Sequence, residues 1–488
     1  MNRTVLGLVV VAVGCVDVGD DDFGDDERAP PPACDCADDG IACTTEGCDE
    51  EGQCVHRPDD RSCPGGGACS VAACDVEAGG CVVVPRSTGT LCGPAAPNGG
   101  PPRGCSEGEC MAGEAIGMDP FGTFEVPGVA ADAPSGFAVQ LARVDDRSGD
   151  GLDEVAAASV PLDGYLPAPT AGSVTLFSPA TGTLLWTSTG SADNLSFGYR
   201  LIPIGDLNGD GLSDLACTEE VLGVLAVVAL DASTGAPLWR HEEPEAAFLR
   251  IASGGDHDGD GVDDLLVAAG VGLAILSGVT GDVVRAVTGT FGPNLGTTPD
   301  LDGDGKDDVI ADAQPGQWRY VRVVSSATLE DLVVIERADE HVWFSGRTAD
   351  LDGSGSDEVL LTHSDDTIRI REARDLVTGV VVWEDDDPRA QPVTTFDLDG
   401  DGIFDLVTDG RLVVSQARSI RAISGADATE IFSVEPLDTS GTLVPIDDGI
   451  IQIDDLDGDG TDDWAVGDEA AGARVWLFTT KVQYSRVE

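Results

Sequence analysis

This sequence predicts an all-β fold of seven four-stranded blades closed into a propeller, preceded by a small disulfide-rich module. Three observations predict it. An acidic nine-residue loop recurs seven times, beginning at Asp146, Asp206, Asp256, Asp300, Asp350, Asp397 and Asp455. Short apolar runs fill the intervals between loops, and helical periodicity is scarce. Twelve of the 14 cysteines crowd between Cys34 and Cys110.

Composition sets the outer bounds. The chain has 488 residues, enough for one large domain and a smaller one. It carries 89 acidic residues against 27 basic ones, a formal charge of −62. A phosphate backbone would be repelled and would find no basic patch, so nucleic acid is excluded as a partner. Acidic chains with few aromatics are often disordered. Here 42% hydrophobic residues, gathered in Val/Leu/Ile runs, argue for a folded β protein.

Residues 1–14 begin with Asn2-Arg3 and an apolar run from Val5 to Val13. The run is far shorter than the roughly 20 residues a spanning helix needs, so it reads as a signal peptide for export. It ends Ala12-Val13-Gly14-Cys15. Small residues ahead of a cysteine resemble a bacterial lipoprotein lipobox. That resemblance implies lipidation of Cys15 and an anchor in a membrane, with the bacterial outer membrane or cell surface as the location. An ordinary signal peptide and a secreted protein is the other reading. Residues 15–33 are acidic and end in prolines, which makes them an extended tether.

Residues 34–112 form the cysteine-rich module. An even number of closely spaced cysteines reads as a disulfide framework in an oxidising compartment, with connectivity left open. Zinc is the rival, but Cys34-x-Cys36 is too tight and His56 is the only histidine there. The triplet Cys43, Cys48, Cys54 recurs loosely as Cys69, Cys74, Cys81, an internal repeat. It resembles the Cys-rich repeats of secreted slime-mould and bacterial proteins, which implies a stalk or adhesive module.

From residue 113 to 488 the longer repeat takes over, with loop intervals of 60, 50, 44, 50, 47 and 58 residues. In each unit a short strand enters the loop, as at Leu201–Ile204. A second leaves it, as at Leu265–Ala269. A third follows a glycine, as at Gly272–Leu276, and a Thr-Gly turn leads to a fourth, as at Thr234–Trp239. Four strands per period of this size make a propeller blade. After the last loop, strands are expected at Asp463–Val466, Arg474–Phe478 and Val482–Val487. Phe121–Val126, ahead of the first loop, is free to complete the last blade and close the ring.

Each loop offers side-chain oxygens at positions one, three, five and nine. In order these are Asp146, Ser148, Asp150 and Glu154; Asp206, Asn208, Asp210 and Asp214; Asp256, Asp258, Asp260 and Asp264. The fourth loop has Asp300, Asp302, Asp304 and Asp308, and the fifth Asp350, Asp352, Ser354 and Glu358. The sixth has Asp397, Asp399, Asp401 and Asp405, and the seventh Asp455, Asp457, Asp459 and Asp463. Glycines at positions four and six let the backbone turn tightly enough for the oxygens to converge. Oxygen-only donors on a tight loop suit Ca²⁺, up to seven ions in all. Ser148 and Ser354 mark the first and fifth loops as the weaker sites. Position two, where the third loop has His257, is expected to face solvent. EF-hands require a Glu at position twelve and flanking helices. Position twelve is never Glu here, and strands flank every loop. Dockerin-like pairs also need helices, and thrombospondin-type arrays repeat more tightly.

The loop array resembles the FG-GAP repeats of the integrin α-subunit propeller and their bacterial VCBS relatives. Phe197-Gly198 and Phe291-Gly292 stand where that family's Phe-Gly falls. The resemblance covers roughly residues 130–488. It implies seven blades with Ca²⁺ between the first two strands of each, and it names no ligand. Ala229–Trp239 is similar to a repeat of quinoprotein propellers, but Trp186, Trp239 and Trp383 read better as blade-packing aromatics.

None of the five histidines sits in a metalloprotease or Ser/His motif, and no nucleophile elbow, phosphate loop or dinucleotide fingerprint occurs. Cys217 reads as a small buried residue. No catalytic residue is assigned. The sequence points to a calcium-binding surface protein for adhesion, or for binding a protein or glycan not named by the sequence. A propeller-based hydrolase or lyase and a purely structural surface component are the alternatives.

Overall fold

The computed structural model describes residues 39–484 apart from 49–52, 59–61, 64–65, 87–91, 93–102, 107–108, 112, 126–136, 162–170, 192–195, 313–319, 337–340, 365–368, 386–392, 395–396, 400, 412–417, 436–445 and 469–473. The expected signal peptide, Cys15 and the expected tether lie outside the described residues. The chain divides into two compact units, Met1–Val84 and Pro85–Glu488. No α-helix forms among the described residues, and no helix is long and apolar enough to cross a membrane.

In the first unit, Thr44–Cys48 pairs with Cys54–Pro58, and a second small sheet runs through Ser70–Asp75. Such short strands bury little on their own. Disulfides Cys43–Cys74 and Cys63–Cys81 hold the unit together, the first of them crossing between the two cysteine triplets. Disulfides of this kind belong to an extracellular or periplasmic compartment.

The second unit begins with a hairpin, Gly104–Ser106 against Glu109–Met111, tied by Cys92–Cys110. Seven four-stranded antiparallel sheets follow. Blades one to six each take four strands in sequence. Blade seven takes three from the C-terminal end, and its outermost strand is Gly113–Glu125. The expected closure is therefore present and longer than Phe121–Val126.

Two strands expected near the C-terminus are in fact one. Arg474–Tyr484 runs on through Thr479, Thr480 and Lys481. The polar residues broke the apolar run in the sequence. However, Thr480 is buried and accepts the indole N–H of Trp464 at 2.9 Å, while Lys481 is exposed beside a register shift.

The cores lie between blades. Leu215 and Cys217 pack against blade one, while Ala216 between them packs against blade three. Successive strand residues point to opposite faces, and both faces are covered. The second and third strands therefore read as continuous apolar runs. Seven such clusters occur, one between each pair of neighbours. The last joins Val155 and Phe177 of blade one to Ala465 and Leu477 of blade seven. Phe197 and Phe291 are buried in two of these layers.

Candidate metal centres

Each acidic loop joins the first strand of a blade to the second. In the loop of blade two, Gly209 and Gly211 have φ of 80° and 92°, which only glycine adopts cheaply. The turn aims backbone N–H groups at the first aspartate. Gly209 N donates to Asp206 Oδ1 at 2.7 Å and Gly211 N to Oδ2 at 2.8 Å. These bonds, that from Gly211 foremost, hold the Asp206 carboxyl below its usual range. Asn208 Oδ1 accepts from Asp210 N at 2.9 Å, and Asp210 Oδ1 from Leu212 N at 3.0 Å. The loop thus fixes Asn208 and Asp210 through one oxygen each and Asp206 through both, and the lone pairs left on these oxygens give capacity for a cation.

Position nine is the buried anchor. Asp214 Oδ2 accepts from Leu207 N inside the loop at 2.9 Å. Its Oδ1 accepts from Ala232 N, at the end of the blade's third strand, at 2.9 Å. The second contact repeats from Gly278 N to Asp264 at 3.0 Å, Ser326 N to Asp308 at 3.1 Å, Gly425 N to Asp405 at 2.9 Å and Thr480 N to Asp463 at 2.8 Å. The first aspartate of all seven loops accepts the N–H of position six.

In the third and fourth loops the structure brings three of the four candidate ligands together. Carboxylate oxygens of Asp256, Asp258 and Asp260 lie within 4.8 Å of one another, as do those of Asp300, Asp302 and Asp304. Burial pushes Asp214 up to about 6, and Asp405 and Asp463 up to about 7. Glu358 also rises to about 7, and its Oε1 is buried with no hydrogen-bond donor. Crowded, desolvated carboxylates with an orphan oxygen fit a hard divalent cation.

The two loops with a serine at a ligand position differ from the rest and from each other. In the first, Glu154 folds back on its own loop, accepting from Arg147 N at 2.6 Å and Ser148 N at 2.8 Å. In the fifth, Glu358 accepts only from Leu351 N, at 2.6 Å.

His257 corrects one expectation. It is 2% exposed, not solvent-facing. Leu207, Leu351 and Leu398 at the same position are buried too, whereas Arg147 of the first loop is exposed.

Sequence reasoning missed the ties between loops. Asp145 and Asp454 each precede a loop. Asp145 Oδ2 accepts from Ser213 N of the second loop at 2.6 Å. Asp454 Oδ2 accepts from Asp153 N of the first loop at 2.6 Å, and Arg143 bridges Asp153 and Asp454. Lys306 Nζ donates to the carbonyls of Asp256 and His257 in the preceding loop at 3.2 and 2.8 Å. A doubled Asp ahead of two loops was the available signal. His363, Glu372 and Glu384 form a further group on separate strands of blade five, which no linear motif reveals.

The tryptophans reach across blades. Trp186, Trp239 and Trp383 donate their indole N–H to Ala232, Gly278 and Gly425 carbonyls of the next blade, each at 2.7 Å. Those same residues give their N–H to position nine of the next loop. The indole of one blade and the loop of its neighbour therefore grip one turn.

At the far ends of the first strands, away from the loops, lies a different patch. The Arg200 and Arg250 guanidinium carbons sit 5.3 and 5.7 Å from the Tyr199 ring centre, and Arg250 is 5.8 Å from that of Phe248. Burial and the neighbouring Arg200 lower the Arg250 pKa. Tyr199 is 39% exposed.

No protein-family model matches the chain, and no curated protein matches it significantly. Solved structures do. One is BBS1N in complex with ARL6DN, at 11% identity and a TM-score of 0.48, over 77% of this chain and 100% of that one. The Dos1 propeller matches at 13% identity and a TM-score of 0.45, over 74% and 95%. BamB from Moraxella catarrhalis matches at 14% and 0.40, over 74% and 100%. These likenesses carry no argument about what the chain binds.

Proposed function

We propose that this chain is an exported, calcium-binding propeller of the FG-GAP/VCBS kind that works by binding. Its role is adhesion at the cell surface, or capture of a protein or glycan, with a lipid on Cys15 as the membrane anchor. The observation that carries the reading is one acidic turn repeated between the first and second strands of all seven blades, with carboxylates converging in the third and fourth. Calcium bound there supplies positive charge that ties the loop to the strand behind it through position nine. That use is structural, which leaves the opposite end for a ligand. Tyr199, Phe248, Arg200 and Arg250 supply aromatic faces and positive charge in a chain that is otherwise strongly acidic, a surface suited to an acidic glycan or anionic segment. Cys217 is buried and its thiol is pushed up by burial, so it offers no thiolate for catalysis.

Two measurements test this. Metal analysis of the full chain should give about five to seven Ca²⁺ per molecule; a value near zero overturns the calcium reading. Binding to an array of acidic glycans and to intact cells should fall for Tyr199→Ala and Arg250→Ala with calcium content unchanged. Undiminished binding by both variants would move the ligand surface elsewhere, and a measured turnover of a glycan substrate would replace binding with catalysis.

A further inference from the structure

The fifth loop lacks a carboxylate at position five, where Ser354 stands. The fold brings another acid to that place. Asp375 follows the third strand of blade five, Arg369–Arg374, and opens the next turn. Its side chain is fully buried, as is Glu358. Asp375 Oδ1 accepts from Val377 N at 2.7 Å and from Thr378 N at 3.0 Å, while its Oδ2 is buried without a hydrogen-bond donor. Glu358 is in the same half-used state, with Oε2 engaged by Leu351 N and Oε1 buried without a donor. Asp352, Asp350 and Asp375 are the charges that bear most on Glu358. The Ser354 hydroxyl lies within reach of the Asp375 carboxyl and 3.4 Å from the Ser356 carbonyl. Two buried carboxylates, Glu358 with an oxygen that no donor reaches and Asp375 with the Ser354 hydroxyl beside it, therefore lie close together next to the fifth loop.

Two other blades show that this arrangement is particular to blade five. In blade one the residues are exchanged: Asp150 holds position five and Ser178 the turn, and Ser178 Oγ donates to Asp150 Oδ2 at 2.9 Å. Blade two also has an acid at the turn, Asp231, but the turn itself consumes it. Asp231 Oδ1 accepts from Ser233 N at 2.7 Å and Oδ2 from Thr234 Oγ1 at 2.8 Å.

We propose that the fifth loop is a full calcium site in which Asp375 supplies the carboxylate that Ser354 does not, beside Asp350, Asp352 and Glu358. This rests on the reading of the loops as calcium sites. The set then holds four carboxylates, as many as positions one, three, five and nine of the third loop, and charge count sets the affinity of such sites. Without Asp375, a serine at position five would leave the weak site that the loop alone suggests.

The test is calorimetric titration of the calcium-depleted full chain with Ca²⁺, together with metal content after dialysis. The variants are Asp375→Ser, Asp231→Ser and the exchange Ser354→Asp with Asp375→Ser. Asp375→Ser should lose one equivalent, or weaken one site by about 10- to 100-fold. Asp231→Ser should keep the full number, and the exchange should restore it. The proposal is overturned if Asp375→Ser binds like the parent. It is also overturned if the exchange variant, which decides the matter should the single variant not fold, stays one equivalent short. A parent chain that binds no Ca²⁺ removes the calcium reading altogether. A parent that binds, with Asp375→Ser unchanged, removes only the role of Asp375.

Discussion

Asp312 shows what a carboxylate does here away from any loop. It ends the second strand of blade four, 3% exposed. It accepts from Phe344 N at 2.6 Å and from Asn294 Nδ2 at 2.5 Å. Burial pushes its carboxyl up to about 7 from the usual 3.8. Below about pH 4 the group is protonated in both the folded and the unfolded chain. Between about 4 and 7 the folded chain holds the proton more tightly, so stability falls as pH rises, by up to about 4 kcal/mol in total. Asp312→Asn should remove this slope. Denaturant unfolding of both proteins in saturating calcium, from pH 4 to 8, should show the variant gaining on the parent as pH rises; parallel curves would refute it. Residues of this kind also mark the limit of the sequence. The loop ligands were legible because each set lies in one nine-residue window. Asp375 stands 21 residues beyond Ser354 and becomes its neighbour only through strand pairing.

The recurring element is the turn between the third and fourth strands. Six blades shift register at the same place ahead of it. The turn then needs one left-handed residue. Gly182, Gly235, Gly281 and Gly379 supply it with φ of 65–74°, but Leu329 and Ala428 hold it at 58° and 61°. A side chain there costs about 1 kcal/mol. Ala428→Gly should therefore raise unfolding free energy by up to about 0.5 kcal/mol, net of the added chain entropy. A drop in thermal midpoint would contradict this. At Gly235 a Cβ would also meet the Trp186 ring at 2.5 Å, so the Thr-Gly text serves both backbone and packing. Such turns, and the strands around them, were legible because both faces of each blade are apolar. Position two was misread because a loop residue that turns inward has no periodicity to announce it.

At the scale of the whole molecule, seven inter-blade cores and a chain of loop-to-loop contacts make one closed ring. Calcium removal should loosen the ring at every loop. Each site held at a hundred times its Kd adds about 2.7 kcal/mol, so excess chelator should lower the unfolding midpoint of the full chain markedly relative to calcium-saturated protein. A midpoint indifferent to chelator would leave the loops without metal. The sequence revealed the number of blades and the strand that closes them, but not Arg143, whose contacts to Asp153 and Asp454 span the seam between blades one and seven. The seam has a consequence in time. Ribosomes make Gly113–Glu125 long before its partner Arg474–Tyr484, and the Thr123 hydroxyl bonds to the Val475 carbonyl across a separation of 352 residues. Until that distant partner is made the first of these strands has no mate, and every nascent chain carries an open edge able to pair wrongly with another. Maturation therefore waits on that distant strand, and deletion of Arg474–Tyr484 should yield a protein that aggregates instead of one with a slightly smaller ring.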